Sequence, residues 1–416
     1  MKFYLKSLGC KQNALEGQII QNELLKAGFQ EVNDLKLADI YILNSCSVTS
    51  HSDSQVRYLL NQAKRLNPKI KTLLTGCCAQ TYKLHNDFNY SDIDLIIGNT
   101  EKMNIVDYIE KSGLFVQNIM NKRDFENKFL INPISTRVSI KIQDGCNNRC
   151  SYCIIPYARG NSRSNSIDNI IKQINMVALK GIKEIVLTGI HIGQWGLEFN
   201  KTLLDLLKEI ETTEISRYRL GSLYVNEIDD NMINFLSKSK KFCPHFHLSL
   251  QSMCDKTLKN MNRLYSVEDE LNVINKLHEA FEVPYLGCDI IVGFPYENEE
   301  DFNTTYKNLE LSHLSSIHSF PYSKRENTPA YNMPQVQDRV KTERVQKLMC
   351  LSEKLHKEFL NRNKSRKEEI LIQKKSSKTG LYSAVTRNYI KIYFKSDEQD
   401  LRHSLKTVDL SEYRLY

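Results

Sequence analysis

Residues 137–153 read RVSIKIQDGCNNRCSYC: an alternating apolar run, Arg137 to Gln143, leads straight into Cys146, Cys150 and Cys153. The run has the period of a half-buried strand. Iron–sulfur clusters are held by cysteine thiolates, ordinarily four to a four-iron cage. Here a compact loop supplies three in C-x3-C-x2-C spacing, with no fourth cysteine nearby. One iron is thereby left open for a small-molecule ligand, which suits catalysis rather than electron storage. Zinc with a distant fourth ligand is the competing reading, but such sites prefer paired C-x2-C spacings.

Downstream of this loop the pattern repeats. EIVLTG, RYRLGSL, HFHLSL, GCDIIVGF and SSIHSF are further strand candidates, separated by helical stretches. In the clearest of these, Ile167, Ile170, Ile171, Ile174 and Val177 form a stripe that Gly181 stops. Six strand–helix repeats predict a whole or partial barrel whose active face lies at the carboxyl ends of its strands. A charged segment, Thr342 to Lys364, reads as a connecting helix. Beyond it EEILIQKK, GLYSAVT and NYIKIYF alternate like strands of a small β domain.

Upstream, KFYLKSLGC, DIYILNSC and KTLLTGC each read as a strand ending in small or polar residues and then a cysteine. DLIIGN gives a fourth strand. Asn13 with Glu16 predicts a capping-box start for the first helix and Gly28 its close. Repeated strand–helix units imply a doubly wound parallel sheet. Cys10, Cys46 and Cys77 are spaced by about one βαβ unit of ~30 residues. At the carboxyl ends of parallel strands they would share one sheet edge, where ligands bind. Three unrelated buried cysteines are the plainer alternative; Cys78 is a substitute for Cys77. The fold class is therefore α/β: a doubly wound sheet over 1–118, a partial (β/α) barrel over 132–358 and a small β-barrel over 359–416.

Composition narrows the setting. Eleven cysteines in 416 residues, odd in number and clustered, do not resemble a disulfide scaffold and point to metal chemistry in a reducing, cytoplasmic compartment. No apolar run approaches the ~18 residues of a membrane span. The start, MKFYLKSLGC, is too poor in apolar residues and interrupted by Lys6 to be a lipoprotein signal. The net charge is +8, and residues 361–416 carry 13 Lys+Arg against 7 Asp+Glu with tyrosines interleaved. That pattern fits a module for a polyanion better than a solvated tail. Its candidate contacts are Lys374, Lys375, Arg387, Tyr389 and Lys391.

The blocks SLGCKQN, LNSCSV, TGCCAQ, IQDGCNNRCSYCIIPYARGNSRS, LTGIHIG, HLSLQS, MNR and DIIVGFP, in this order, resemble the methylthiotransferase family of radical S-adenosylmethionine enzymes over essentially the whole chain. The last module is similar to the small RNA-binding TRAM barrel of that family. The resemblance implies two 4Fe–4S clusters, one on Cys146, Cys150 and Cys153 and an auxiliary one on Cys10, Cys46 and Cys77. It implies two uses of S-adenosylmethionine, as methyl donor to a cluster-bound sulfur and as source of a radical that abstracts hydrogen from C2 of an adenine. Its implied partners are tRNA, a flavodoxin- or ferredoxin-like electron donor and a sulfur source. FPYSKRENTPA (Phe320–Ala330) and YARGNSRS most resemble the branch acting on N6-threonylcarbamoyladenosine at position 37 of tRNA. Glu326-Asn327 in place of the usual Pro-Gly, Ser45 in place of Thr and a short last module depart from the pattern. The alternatives are isopentenyladenosine-37, a ribosomal-protein aspartate, or a non-catalytic iron–sulfur RNA-binding protein.

Thr188, Ser222, Gln251, Arg263 and Asp289 lie near the ends of barrel elements and are candidate contacts to S-adenosylmethionine, each equally readable as structural. Arg159 and Arg163, just past the cysteine loop, are candidates for tRNA or the cofactor carboxylate. Of His245 and His247, on one strand, at most one is expected to face the barrel lumen. Cys243, Cys254, Cys288 and Cys350 share no spacing and read as ordinary thiols.

Overall fold

The computed structural model describes residues 1–84, 90–129, 135–398 and 400–416. The domain boundary expected at 132 falls outside them. The chain begins with a six-stranded sheet, all neighbours parallel, in the order Gln30–Glu31, Lys2–Ser7, Ile40–Ser45, Lys71–Gly76, Leu95–Ile97, Gly113–Phe115. The apolar runs occupy the centre: every residue of Ile40–Ser45 is buried, as a parallel strand covered on both faces requires. The two strands not expected, Gln30–Glu31 and Gly113–Phe115, are short edges without apolar alternation. Strand order reverses at Lys2–Ser7, whose neighbours are Gln30–Glu31 on one side and Ile40–Ser45 on the other. The crevice beyond the carboxyl ends at such a switch is where doubly wound sheets bind ligands.

The first helix, Lys11–Lys26, starts earlier than its capping-box pattern suggested. Cys10 is the N-cap, and Asn13 and Glu16 lie inside the helix, both buried. Asn13 Nδ2 instead donates to the carbonyls of Leu8 (2.7 Å), Asn44 (3.1 Å) and Ser45 (3.2 Å), tying the helix to the carboxyl end of the sheet. Tertiary hydrogen bonds have replaced the local cap.

The barrel follows. Arg137–Lys141, Glu184–Thr188 and Arg217–Leu220 pair in parallel; past Gly221 the third strand continues as Ser222–Leu223 and pairs with His245–Gln251, then Tyr285–Val292 and Ser316–Pro321. All six expected strands are present. No pairing joins the first strand to the last among the described residues, so the barrel is partial. Alternate residues such as Phe246, Leu248, Cys288, Ile290 and Ile317 enter one large apolar core with the surrounding helices. Their neighbours on the same strands turn to the lumen.

Helix Asp338–Asn363 packs along Ser316–Pro321 and leads into a four-stranded antiparallel sheet, ordered Lys391–Phe394, Tyr382–Thr386, Lys367–Lys375, Leu405–Asp409. No strand pairing closes this sheet among the described residues. It covers the amino-terminal floor of the barrel, where Tyr285 and Phe359 pack with Ile370, Ile372 and Ile392. No helix among the described residues is long and apolar enough to cross a membrane.

Candidate active site

The cysteine loop leaves the first barrel strand at its carboxyl end. Gly145 opens it with φ +74°, and a Cβ there would lie 2.0 Å from the Asn161 carbonyl oxygen, so no side chain fits. Cys153 N–H donates to the Cys150 carbonyl at 3.1 Å, closing a turn that brings the thiols together. Burial, then the neighbouring Cys150, pushes the Cys153 thiol up to about 12. Two side chains from elsewhere reach the sulfurs. His191 Nδ1 lies 3.3 Å from Cys146 Sγ while its Nε2 meets the Glu227 carboxylate. Burial alone would lower this imidazole, but the bonds to Cys146 and Glu227 lift it to about 9. Arg263 Nη1 lies 3.4 Å from Cys150 Sγ, and its guanidinium also bonds the Ser249 carbonyl and Tyr265 Oη. Tyr224 lies between them, stacked on His191 at 4.2 Å with Arg263 4.0 Å over its ring.

The other three cysteines converge at the switch point of the first sheet. Cys10 caps the helix after Lys2–Ser7, Cys46 follows Ile40–Ser45, and Cys77 opens the turn after Lys71–Gly76. Gly9 takes φ +88° and lies so close to Cys46 that a Cβ would sit 2.6 Å from its Sγ. Burial pushes the Cys46 thiol up to about 11, with Cys77 and then Cys10 adding to the rise, so the three are electrostatic neighbours. Cys78 points away: its Sγ is 3.8 Å from Tyr90 Oη, and it joins the sheet's apolar core.

Between the two thiol groups lies a buried ionic network that joins the sheet to the barrel. Arg159, in the short helix Ile155–Arg159, donates to both oxygens of Glu16 at 2.8 and 2.9 Å and to Asp144 at 3.2 Å. Lys102 also meets Glu16, and Lys141 bridges Glu16 (2.7 Å) and Asp144 (2.8 Å). Arg163 reaches Asp144 at 3.4 Å. Burial raises the Glu16 carboxyl, but Arg159, Lys102 and Lys141 together hold it well below its usual range. Arg159 and Lys102 both feel the Cys77 thiol electrostatically. A second latch joins Arg325 Nη2, in the Phe320–Ala330 stretch, to Asp53 at 2.6 Å and Ser47 at 2.8 Å.

Two expectations are corrected here. Arg159 and Arg163 are almost wholly buried, with carboxylates and backbone carbonyls around their guanidinium groups, so neither presents a face to tRNA. Arg387 and Tyr389 are half-buried and partly turned inward. Arg387 donates to the Phe242 carbonyl, and the Tyr389 ring lies 5.3 Å from the Arg137 guanidinium and 5.1 Å from that of Arg219. Lys374, Lys375 and Lys391 remain exposed. Among the cofactor candidates, Arg263 is drawn to the cysteine loop, while Thr188 and Gln251 end their strands beside it. Ser222 and Asp289 sit lower in the lumen, on the wall with His247. His245 and His247, with Phe246 between them in the outer core, share the lumen face, so the expectation that at most one points inward does not hold; His245 packs at the floor against Tyr285 and Tyr389. His191, Tyr224, Glu227, Lys102 and Asp144 were not singled out from the sequence, and Glu16 only as part of a helix cap.

A fourth-ligand-deficient thiol set at the mouth of a partial barrel defines a radical S-adenosylmethionine enzyme, and residues 140–309 match the Radical SAM superfamily. Residues 2–98 match the uncharacterized protein family UPF0004. The chain is 35% identical over 401 residues, 94% of itself and 96% of the relative, to the threonylcarbamoyladenosine tRNA methylthiotransferase MtaB of Aquifex aeolicus. It is 31% identical to the tRNA-2-methylthio-N(6)-dimethylallyladenosine synthase of Thermoanaerobacter sp., covering 100% of itself and 91% of the relative. The chain therefore belongs to the tRNA methylthiotransferases, transferases that modify tRNA. The radical S-adenosylmethionine methyltransferase TsrM of Kitasatospora setae shares the fold at a TM-score of 0.57 and 13% identity, over 79% of this chain and 77% of that one.

Proposed function

We propose that this chain adds a methylthio group to C2 of N6-threonylcarbamoyladenosine at position 37 of tRNA. The observation that carries the reading is the meeting of Cys10, Cys46 and Cys77 at one sheet edge, joined to the Cys146 loop through Arg159 and Glu16. Both donor sets are soft thiols gathered in threes, which fits iron with one open position in each. When bound, the two clusters and S-adenosylmethionine supply a hydrogen-abstracting radical and a sulfur to transfer. The chain's own residues do the rest. His191 and Arg263 reach the sulfurs of Cys146 and Cys150 and orient them. Tyr224 fixes both by stacking. Arg159 and Lys102 set positive charge against Cys77. Thr188, Ser222 and Gln251 line the cofactor side of the barrel. On this reading 1–118, 132–358 and 359–416 act as sulfur-presenting, radical-generating and TRAM-like tRNA-holding units, served by an external electron donor and sulfur source.

The test is nucleoside analysis of tRNA from a deletion strain together with iron analysis. About eight iron per chain are expected after anaerobic reconstitution of two four-iron clusters. A Cys10→Ala/Cys46→Ala/Cys77→Ala variant should hold about four and still form 5′-deoxyadenosine, yet yield no methylthio nucleoside. Full iron content in that variant, or an unchanged nucleoside profile in the deletion strain, refutes the proposal. Similarity to the dimethylallyladenosine synthase favours one second reading, isopentenyladenosine as substrate, and the same profile separates the two.

A further inference from the structure

The barrel wall carries a polar cluster that none of the chemistry above employs. On three adjacent strands Phe246 and Leu248, Cys288 and Ile290, and Ile317 enter the outer core. Period two therefore turns His247, Asp289 and His318 to the lumen. Register places them side by side: Ser222 pairs with His247, His247 with Gly287, and Asp289 with His318. Gly287 leaves the wall open beside His247, since a Cβ there would lie 2.9 Å from the Tyr285 ring. His247 Nε2 and His318 Nδ1 approach the same oxygen, Asp289 Oδ1, at 3.0 and 3.5 Å, and the two rings are 5.1 Å apart. Asp289 is thus engaged by two imidazoles. Burial raises its carboxyl, and they outweigh burial and hold it down to about 2. The His318 side chain is 51% exposed, and with Nδ1 on Asp289 its Nε2 is left for a ligand.

We propose that His318, positioned by Asp289 and His247, reads the N6 substituent of the target adenine and selects a carboxylate-bearing threonylcarbamoyl group over an alkyl one. This rests on the methylthiotransferase reading and deepens it. A threonylcarbamoyl group offers a carboxylate, a hydroxyl and ureido N–H groups to the imidazoles. An isopentenyl chain offers none, and closing over it strips water from His318 Nε2 with nothing in exchange. A buried polar group left so unpaired weakens binding. Sites built on hydrogen bonds therefore reject analogues lacking the partner far more strongly than apolar pockets reject a change in size.

The experiment uses reconstituted holoenzyme and two anticodon stem-loops, one with N6-threonylcarbamoyladenosine and one with isopentenyladenosine, in direct competition. His318→Leu is expected to lower the threonylcarbamoyl-to-isopentenyl ratio of kcat/KM at least tenfold, mostly through KM, and to weaken binding of the first stem-loop. His318→Gln, which keeps a hydrogen-bonding tip, should recover part of the ratio. Iron content and thermal midpoint of both variants report folding. A ratio unmoved in folded His318→Leu, with wild type acting on the threonylcarbamoyl RNA, overturns the assignment of this cluster alone. Wild type that modifies only the isopentenyl RNA overturns the proposed function itself. A stoichiometric metal ion beyond the cluster iron, lost in His318→Leu, would make the cluster a metal site and overturn the proposal.

Discussion

Consider replacing Glu16 by Gln in the network that joins the sheet to the barrel. Two carboxylates, Glu16 and Asp144, face four cations, Lys102, Lys141, Arg159 and Arg163, and Glu16, Lys102, Arg159 and Arg163 are nearly or fully buried. The site already holds a surplus of positive charge. Glu16→Gln leaves one carboxylate among four cations, and removing one partner from a buried ion pair costs ~3–5 kcal/mol. Arg159→Met instead leaves two carboxylates with three cations, and Glu16 keeps both lysines. Both variants break the same buried pair, but Arg159→Met moves the site toward charge balance and Glu16→Gln away from it, so the cost of the former falls at or below the lower end of that range, roughly 3 kcal/mol. The smaller side chain should therefore do the greater damage. Urea unfolding of cluster-free protein, followed anaerobically with the thiols reduced, should show Glu16→Gln lowering the midpoint by roughly 1–2 M for a slope of about 3 kcal/mol per molar. Arg159→Met should lower it by less than about 1 M on the same slope. The surplus also faces Cys77, so with the proposed second cluster in place its thiolates balance the cations. Arg159→Met should then weaken cluster retention more than its effect on the apo chain implies. An Arg159→Met penalty equal to or above that of Glu16→Gln in the apo protein would refute the charge argument.

Glu270 is fully buried with neither carboxylate oxygen hydrogen-bonded, and burial pushes its pKa well above the usual range despite Arg263 nearby. The folded chain holds this proton to a higher pH than the unfolded one, so stability falls by about 1.4 kcal/mol per pH unit above the unfolded value. Glu270→Gln should accordingly raise the thermal midpoint at pH 7.5 but hardly at pH 4.5; an equal gain at both would show the effect is packing. On the C-terminal sheet, Lys374, Lys375 and Lys391 are exposed. Replacing all three by Ala should reduce the slope of log K against log salt for tRNA binding by about 2. An unchanged slope returns them to ordinary solvent-facing residues.

Much of the architecture was legible before the structure. Apolar alternation marks all six barrel strands and four of the first sheet. The thiols of each set are either adjacent in one loop or one βαβ unit apart, so strand ends alone bring them near each other. The misses share a cause. Asn13-x-x-Glu16 has the form of a helix start, and nothing local tells that Glu16 would meet Arg159 from 143 residues away. Arg159 and Arg163 resemble a solvated basic loop until the carboxylates around them are known. Arg387 and Tyr389 belong to a basic, tyrosine-rich module, yet the turn carrying them is pressed onto the barrel floor by the Arg219 bonds to the Thr386 and Arg387 carbonyls.

The lumen cluster shows the same boundary most sharply. Periodicity along HFHLSL puts His245 and His247, two residues apart, on one face, because side-chain alternation belongs to a single strand. That His247 then meets Asp289 and His318 depends on register between strands joined by helices, with Gly287 opposite His247 and Asp289 opposite His318. A slip of one residue in either pairing would turn the partner outward into the apolar core, where Cys288 and Ile317 now sit. Buried apolar neighbours therefore fix the polar cluster as firmly as its own hydrogen bonds do. Its composition, two imidazoles on one carboxylate, follows from packing constraints on residues that never touch a ligand.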